Sequence, residues 1–442
     1  MRRTIRISVP IAVLLLSAAG AVAWAGTNGV GPFNWDRTID DHGEDLQSEG
    51  REIFRFDTFG SEQFWGDTLL LHEAIETSVS PAVALQLGLK VDVEALPGRI
   101  KGALKSGRLD LDDPANTVEL LRHDAVVGLD GIFNDDDELA SVGITCALCH
   151  STVNDSLTEG VGERLDGWAN RDLDIGAIIA AAPNLQPVVD LLRNAPSLTA
   201  LTEEQLRELL RTWGPGRFDA EVLHDGKAIN PETGQSAPTL IPPAFGLAGI
   251  NLHTFTGFGS VPYWNAFVAV TEMQGQGTFF DPRLNDPEKF PIDAATGRWN
   301  IRSDPDLVTS KLAALHFYQL SIPAPEPPPG SFDADAASRG EDLFSGAAGC
   351  AECHVPPLYT EPGYAIHTPE EIGIDDFQAN RSPTEGYRTT PLAGLWSHTK
   401  GGFYHDGRFA TLSDVVEHYD QHFGLGLTPD QINDLAEFLK SL

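Results

Sequence analysis

Apolar residues recur at helical spacing over much of this chain, and the strict alternation of a half-buried strand is rare. The pattern is clearest toward the C-terminus. Residues 335–345 carry Ala336, Gly340, Leu343 and Phe344 as a small or apolar stripe, which predicts a helix. Thr428-Pro429-Asp430-Gln431 predicts another. Its threonine and glutamine have the spacing of a capping box, its proline suits the first helical position, and Ile432, Leu435, Phe438 and Leu439 then line one face. Residues 411–423 read as a third helix, stopped by Gly424, because glycine enters the left-handed region at little cost. Nearer the start, Gly50-Arg51-Glu52-Ile53-Phe54, residues 83–89, residues 117–121 and residues 201–210 after Thr199 also read as helical. The run Asp135-Asp136-Asp137-Glu138 predicts a solvated loop, and residues 242–290, rich in glycine, proline and aromatics, predict long loops. The expected class is mainly α.

Ile322-Pro323-Ala324-Pro325-Glu326-Pro327-Pro328-Pro329-Gly330 marks a boundary, since a run so rich in proline cannot continue a helix and favours a stiff, extended connector. Residues 26–321 then form a first domain and residues 331–442 a second. The first has a helical insertion between its Gly50 helix and the cysteine motif described below. No internal repeat is apparent apart from that motif.

Arg2, Arg3 and Arg6 precede an apolar run at 7–19 and small residues at Ala21, Ala23 and Ala25, the pattern of a secretory signal over 1–25. A periplasmic location follows, and no later stretch is apolar enough to span a bilayer. Formal charge is -34 over the full chain, which argues against a nucleic-acid partner. It favours solubility, or attraction of a basic redox partner.

The four cysteines form two Cys-x-x-Cys-His motifs, Cys146, Cys149 and His150, then Cys350, Cys353 and His354. Two cysteines at this spacing lie on one helical turn and can each add to a vinyl group of haem, leaving the adjacent histidine to ligate the iron. A zinc site or two redox dithiols could use the same cysteine spacing, but neither requires histidine next in line both times. Two covalently bound c-type haems are therefore expected. Methionine, the usual sixth ligand of an electron carrier, is nearly missing: only Met1 and Met273 exist, and none follows Cys350. His367, His398, His405, His418, Tyr419 and His422 are the candidates for the second haem.

Arg388-Thr389-Thr390-Pro391-Leu392, Phe403-Tyr404-His405-Asp406-Gly407-Arg408 and Ala410-Thr411-Leu412, with the closing helix, resemble the C-terminal half of bacterial di-haem cytochrome c peroxidases and MauG enzymes. The resemblance implies two cytochrome-c-like domains with unequal haems. It places Tyr419 where MauG has a tyrosine ligand and the peroxidases a methionine. Pro262-Tyr263-Trp264-Asn265-Ala266 followed by Glu272-Met273 resembles more weakly the family segment with an inter-haem tryptophan and a distal Glu or Gln. On that basis Trp264 relays electrons between the haems and Glu272 handles protons in O–O cleavage. His253 is a displaceable distal ligand or a propionate partner. The family also holds a calcium ion between its domains, and Thr389 and Pro391 stand where carbonyl ligands come from.

The activity this implies is peroxide reduction with electrons from a small donor, a c-type cytochrome or a copper protein. Two alternatives stay open. One is an oxidase or oxygenase acting on an organic or protein substrate, since the long separation between the haem motifs also resembles the rubber oxygenases of the same superfamily. The other is a non-enzymatic electron carrier.

Overall fold

Two helix crossings of the same kind organise the chain, one ahead of each cysteine motif. Gly50, in the Trp35–Phe56 helix, lies against the Leu312–Ser321 helix, where a Cβ would overlap the main-chain oxygen of Ala314. Phe54, fully buried, meets Tyr318 edge-on at 5.6 Å. The Ala334–Ser345 helix repeats this: Gly340 sits against Asp434 of the Pro429–Ser441 helix, and Phe344 meets Phe438 edge-on at 5.1 Å. The shared pattern is Gly-x-x-x-Phe, with glycine allowing the backbones to touch and phenylalanine filling the angle. The expectation of no repeat beyond the cysteines is thereby corrected.

The computed structural model describes residues 35–442, so the expected signal segment lies outside the described residues. Leu46–Leu442 form one compact unit; residues 35–45 begin the Trp35–Phe56 helix and are almost all exposed. One apolar core runs from Ile53 to Tyr318 and includes Leu148, while a second gathers Phe344, Leu395, Val416, Leu435 and Phe438. Between them the proline-rich stretch is packed down: Pro325 O accepts from Trp396 Nε1 at 2.8 Å, and Ile322 O from Gly246 N.

The C-terminal helices follow their sequence signals. Thr428 and Gln431 form the reciprocal capping box, Thr411 forms one with Asp414, and Gly424 closes the Leu412–Phe423 helix at φ 65°. The N-terminal half departs in three places. The helix at Glu203–Leu210 is capped by Thr202, which boxes with Gln205, and not by Thr199. The insertion does contain helices at Leu71–Ser78, Pro81–Gln86, Gly98–Lys105 and Pro114–Leu121, but it ends in an antiparallel hairpin, Leu129–Phe133 with Leu139–Ile144. The acidic run is that hairpin's turn, and the second strand leads directly into Cys146. Lastly, residues 242–290 are not all loop. Val261–Phe267 is helical and continues as a π-turn over Val268–Glu272, a local irregularity frequent at functional sites. Among the described residues the sheets are small, five of two strands each, and no helix is long and apolar enough to cross a membrane.

The two halves are joined by a buried ion cluster. Arg381, fully buried, donates from Nε to Asp225 Oδ2 at 2.8 Å and from Nη2 to Asp219 Oδ1 at 2.8 Å.

Candidate haem centres and a buried acid–base cluster

Each motif histidine is held by one ring nitrogen. His150 Nδ1 donates to Pro242 O at 3.1 Å and His354 Nδ1 to Tyr359 O at 3.0 Å, which fixes the tautomer and leaves Nε2 free as an electron-pair donor in both. Burial holds both imidazoles below their ordinary pKa, His150 at about 4. All four cysteines are unpaired. Among the described residues, ligand-type atoms cluster at Cys353, Glu361 and His367 and at Asp375, His405 and Asp406. Neither cluster joins the two cysteine pairs, so a zinc site built from both is not formed.

Unpartnered buried donors also fit haem. Asn170 N donates to Cys149 O at 2.9 Å, and the next residue, Arg171, has Nε and Nη1 buried without a partner. Arg388 Nη1 is likewise unpartnered. Burial, with the like charge of Arg217 second, pulls Arg171 down to about 10, and burial alone does the same to Arg388. Buried guanidiniums lacking an acid, in a chain with 64 acidic and 30 basic residues, suit the carboxylate edge of a haem.

Around the second motif the candidate sixth ligands separate. His418 Nε2 and His422 Nε2 donate to the carbonyls of Ile372 and Glu371, and His367 Nε2 is 2.6 Å from Glu361. His405 is buried, stacked on Tyr387 at 5.2 Å, and His398 is stacked on Phe403 at 6.2 Å. Tyr419 shares its surroundings with the cysteines: burial raises its phenol first, Tyr404 hydrogen bonding opposes this, and the thiols of Cys353 and Cys350 add to the rise. Thr389 O, the carbonyl implied for calcium, accepts from Thr360 Oγ1, and Thr389 Oγ1 donates to Glu361.

The charge of Glu272 reaches the first motif at Cys149. Burial pushes the Cys149 thiol up to about 12, and the charge of Glu272 is the second cause. Glu272 Oε1 receives Thr271 Oγ1 at 3.2 Å and His224 Nε2 at 3.2 Å, while Oε2 is buried with no partner. His224 Nδ1 donates in turn to Asp293 Oδ2 at 2.6 Å. His224, Glu272 and Asp293 are 3%, 8% and 0% exposed, so the three form a line closed to solvent. Burial draws the imidazolium down, but the two carboxylates outweigh it and raise His224 to about 9. Neither His224 nor Asp293 carries a sequence signal: they lie 69 positions apart, on the short Val222–Asp225 and Pro291–Thr296 helices.

Trp264 packs among Phe258 at 4.4 Å, Phe267 at 5.1 Å and Tyr263 at 5.7 Å, its Nε1 buried and unpartnered. A second pair, Trp168 and Trp396, meets edge-on at 5.5 Å. Trp168 adjoins Gly167, whose N–H donates to His150 O, so this pair links the first motif to the C-terminal half. His253 Nε2 donates to Ile250 O at 3.1 Å. Beside Glu272 and Gln274 lies a small, otherwise apolar cavity of about 70 Å³, walled by Trp65, Leu191, Trp213 and Phe218.

No family model matches the chain. Among curated proteins it is similar to cytochrome-c peroxidase IdrP1 of Denitromonas iodatirespirans, 30% identical over 149 residues, with 24% of this chain and 40% of that protein covered. The chain thus spans about two fifths of that relative's length. Two solved structures overlap it in part. One is a MauG-like protein associated with microbial copper homeostasis, with 18% identity, 49% of this chain and 77% of that chain covered, and a TM-score of 0.31. The other is Kuenenia stuttgartiensis hydrazine synthase, with 19% identity, 47% and 74% covered, and a TM-score of 0.28.

Proposed function

We propose that this chain is a periplasmic di-haem c-type oxidoreductase that reduces hydrogen peroxide with electrons from a small redox protein, a c-type cytochrome or a copper protein. The observation that carries the reading is Glu272: a carboxylate beside the first haem motif, buried, with one oxygen held and the other unpartnered. Partial similarity to a cytochrome c peroxidase supports it.

In this reading Cys146, Cys149 and His150 would hold one haem and Cys350, Cys353 and His354 the other. Tyr419 would be a further iron ligand for the second, and the unpartnered guanidiniums of Arg171 and Arg388 would pair with haem carboxylates. Haem, when bound, would supply redox-active iron. Overall, peroxide takes up two electrons and two protons to give two waters. Glu272 Oε2, buried and unpartnered, would take a proton from peroxide and return it to the departing oxygen, so that water leaves instead of hydroxide. The surrounding apolar residues exclude bulk water, which keeps that proton in place. Trp264 would relay electrons between the two centres, with the Trp168 and Trp396 pair as a parallel path.

Steady-state turnover with a reduced donor tests this. Glu272→Gln, which keeps shape and removes the exchangeable acid, lowers kcat/KM for peroxide by about 10²–10⁴. A second reading, an oxidase acting on an organic or protein substrate, rests on the lack of any methionine after Cys350. If peroxide disappears only in the presence of an organic co-substrate, and never with a reduced protein donor, that oxidase reading replaces the peroxidase one. If both haems prove six-coordinate and inert to peroxide, the chain is an electron carrier.

A further inference from the structure

We infer that His224, fixed by Asp293, is the proton source that charges Glu272, making the acid–base device an Asp293–His224–Glu272 relay. The inference rests on the role given to Glu272 above and goes beyond it. Each ring nitrogen of His224 faces a carboxylate oxygen, at 2.6 and 3.2 Å. Carboxylates accept, so both nitrogens donate, and the ring is the imidazolium. A histidine buried for packing alone needs one donor and one acceptor partner, and here neither partner is a donor. The relay also ends on something unfinished: Oε2 of Glu272 is the only carboxylate oxygen of that residue without a partner.

The surroundings hold the proton on the ring. His224 faces Asp293 and Glu272; Arg298 lies 3.6 Å from the other oxygen of Asp293 and donates to Thr271 O, tying the two ends together. Asp219 and Asp225, on the same segment as His224, are turned to Arg381. Asp190, on the adjoining Gln186–Leu192 helix, is exposed and bonded to Gln186. The Phe267 ring, 5.0 Å away, covers a face of the imidazole. In the transfer the His224 Nε2–H bond breaks as a Glu272 Oε1–H bond forms, Nδ1–H stays on the ring beside Asp293, and after turnover water at the cavity that Glu272 lines returns a proton through Glu272 to His224 Nε2. His224 therefore provides one of the two protons that peroxide reduction consumes. As a group acting through Glu272, it is a positioning and proton-supplying residue.

The test uses the holoenzyme and three variants, Glu272→Gln, His224→Gln and Asp293→Asn. Two quantities are followed from pH 6 to 10: kcat/KM for peroxide, and the infrared ring mode of the imidazolium. The wild-type rate falls as pH rises through about 9, together with the ring mode. Asp293→Asn, which preserves shape and removes a charge, moves both transitions to lower pH by about a unit or more. His224→Gln abolishes the ring mode and that limb and lowers the rate about 10²-fold. If Asp293→Asn and His224→Gln keep the wild-type rate and limb while Glu272→Gln is impaired, the relay is wrong and Glu272 acts alone. If Glu272→Gln itself turns over normally, the role of Glu272 fails and the relay with it. Should His224→Gln fail to fold, Asp293→Asn decides: an unmoved limb overturns the inference.

Discussion

Arg381→Met is the substitution whose cost follows most directly from the structure. The guanidinium is fully buried, as are its partners, at 0% for Arg381 and 1% and 0% for the Asp219 and Asp225 side chains. Methionine fills most of the volume, so the loss is electrostatic and not a cavity. Two carboxylates are then stranded in the interior. Removing one member of a buried ion pair costs roughly 3–5 kcal/mol, because the remaining charge keeps its desolvation penalty and loses its compensation. At an unfolding entropy of roughly 2.1 cal/mol/K per residue, that corresponds to a fall in Tm of about 3–5 °C for a chain this long. The deficit depends on pH. Burial already pushes Asp219 up to about 7 with the guanidinium beside it, and losing Arg381 raises it further, so the penalty is largest at alkaline pH and shrinks as pH falls. Calorimetry of the holoprotein from pH 8 to 5 therefore shows the gap to wild type narrowing with acid.

The same reasoning makes a stronger statement about the triple variant. Asp219 Oδ1 accepts from Val222 N and Asp225 Oδ1 from Lys227 N, and asparagine oxygens can keep both bonds. Arg381→Met combined with Asp219→Asn and Asp225→Asn removes every charge and recovers most of the lost stability at pH 7. A single variant within about 1 kcal/mol of wild type, or a triple variant no better than the single, refutes the account of this cluster.

Two further expectations are read on the same protein. Tyr419→Phe changes the ferric absorption spectrum of one haem and leaves the other untouched; an unchanged spectrum removes Tyr419 as a ligand. His224, raised to about 9 in the folded state against about 6.5 unfolded, contributes stability that is fully present below pH 6.5 and is lost as pH rises through 9, on the order of 3 kcal/mol in denaturant titrations. A His224→Gln protein lacking that alkaline loss bears this out, and one retaining it assigns the loss elsewhere.

What could be read in advance divides by the range of the interactions. The box at Thr428 and the stop at Gly424 are completed within a few residues, and both were legible; the box at Thr411 is equally local but was not read. The Leu139–Ile144 strand was not, because all but one of its residues are buried, and a strand covered on both faces shows no alternation. The Gly-x-x-x-Phe repeat was present at Gly50 and Gly340, but its meaning lies in the partner helix, reached only through Ala314 and Asp434. Glu272 was found through resemblance to a family segment. His224 and Asp293 were not, since one histidine on a two-turn-or-shorter helix looks like any other until Glu272, 48 positions on, is folded against it.

The ion cluster and the proton relay meet on one short segment. Asp225 is the neighbour of His224 in the chain, and Asp219 lies at the segment's start, so Arg381 fixes from the C-terminal half the backbone from which the imidazole projects. The other end of the relay is fixed locally, by Thr271 and by Arg298 on Thr271 O. A 3.2 Å contact between His224 and Glu272 therefore depends on two independent anchors, one of which belongs to the half that carries the second haem motif. That explains why so expensive an arrangement as a fully buried arginine with two aspartates is placed there, when an apolar contact could join the halves as firmly. An apolar contact fixes distance loosely, whereas a guanidinium shared between two carboxylates fixes direction, and proton transfer over a single hydrogen bond requires direction.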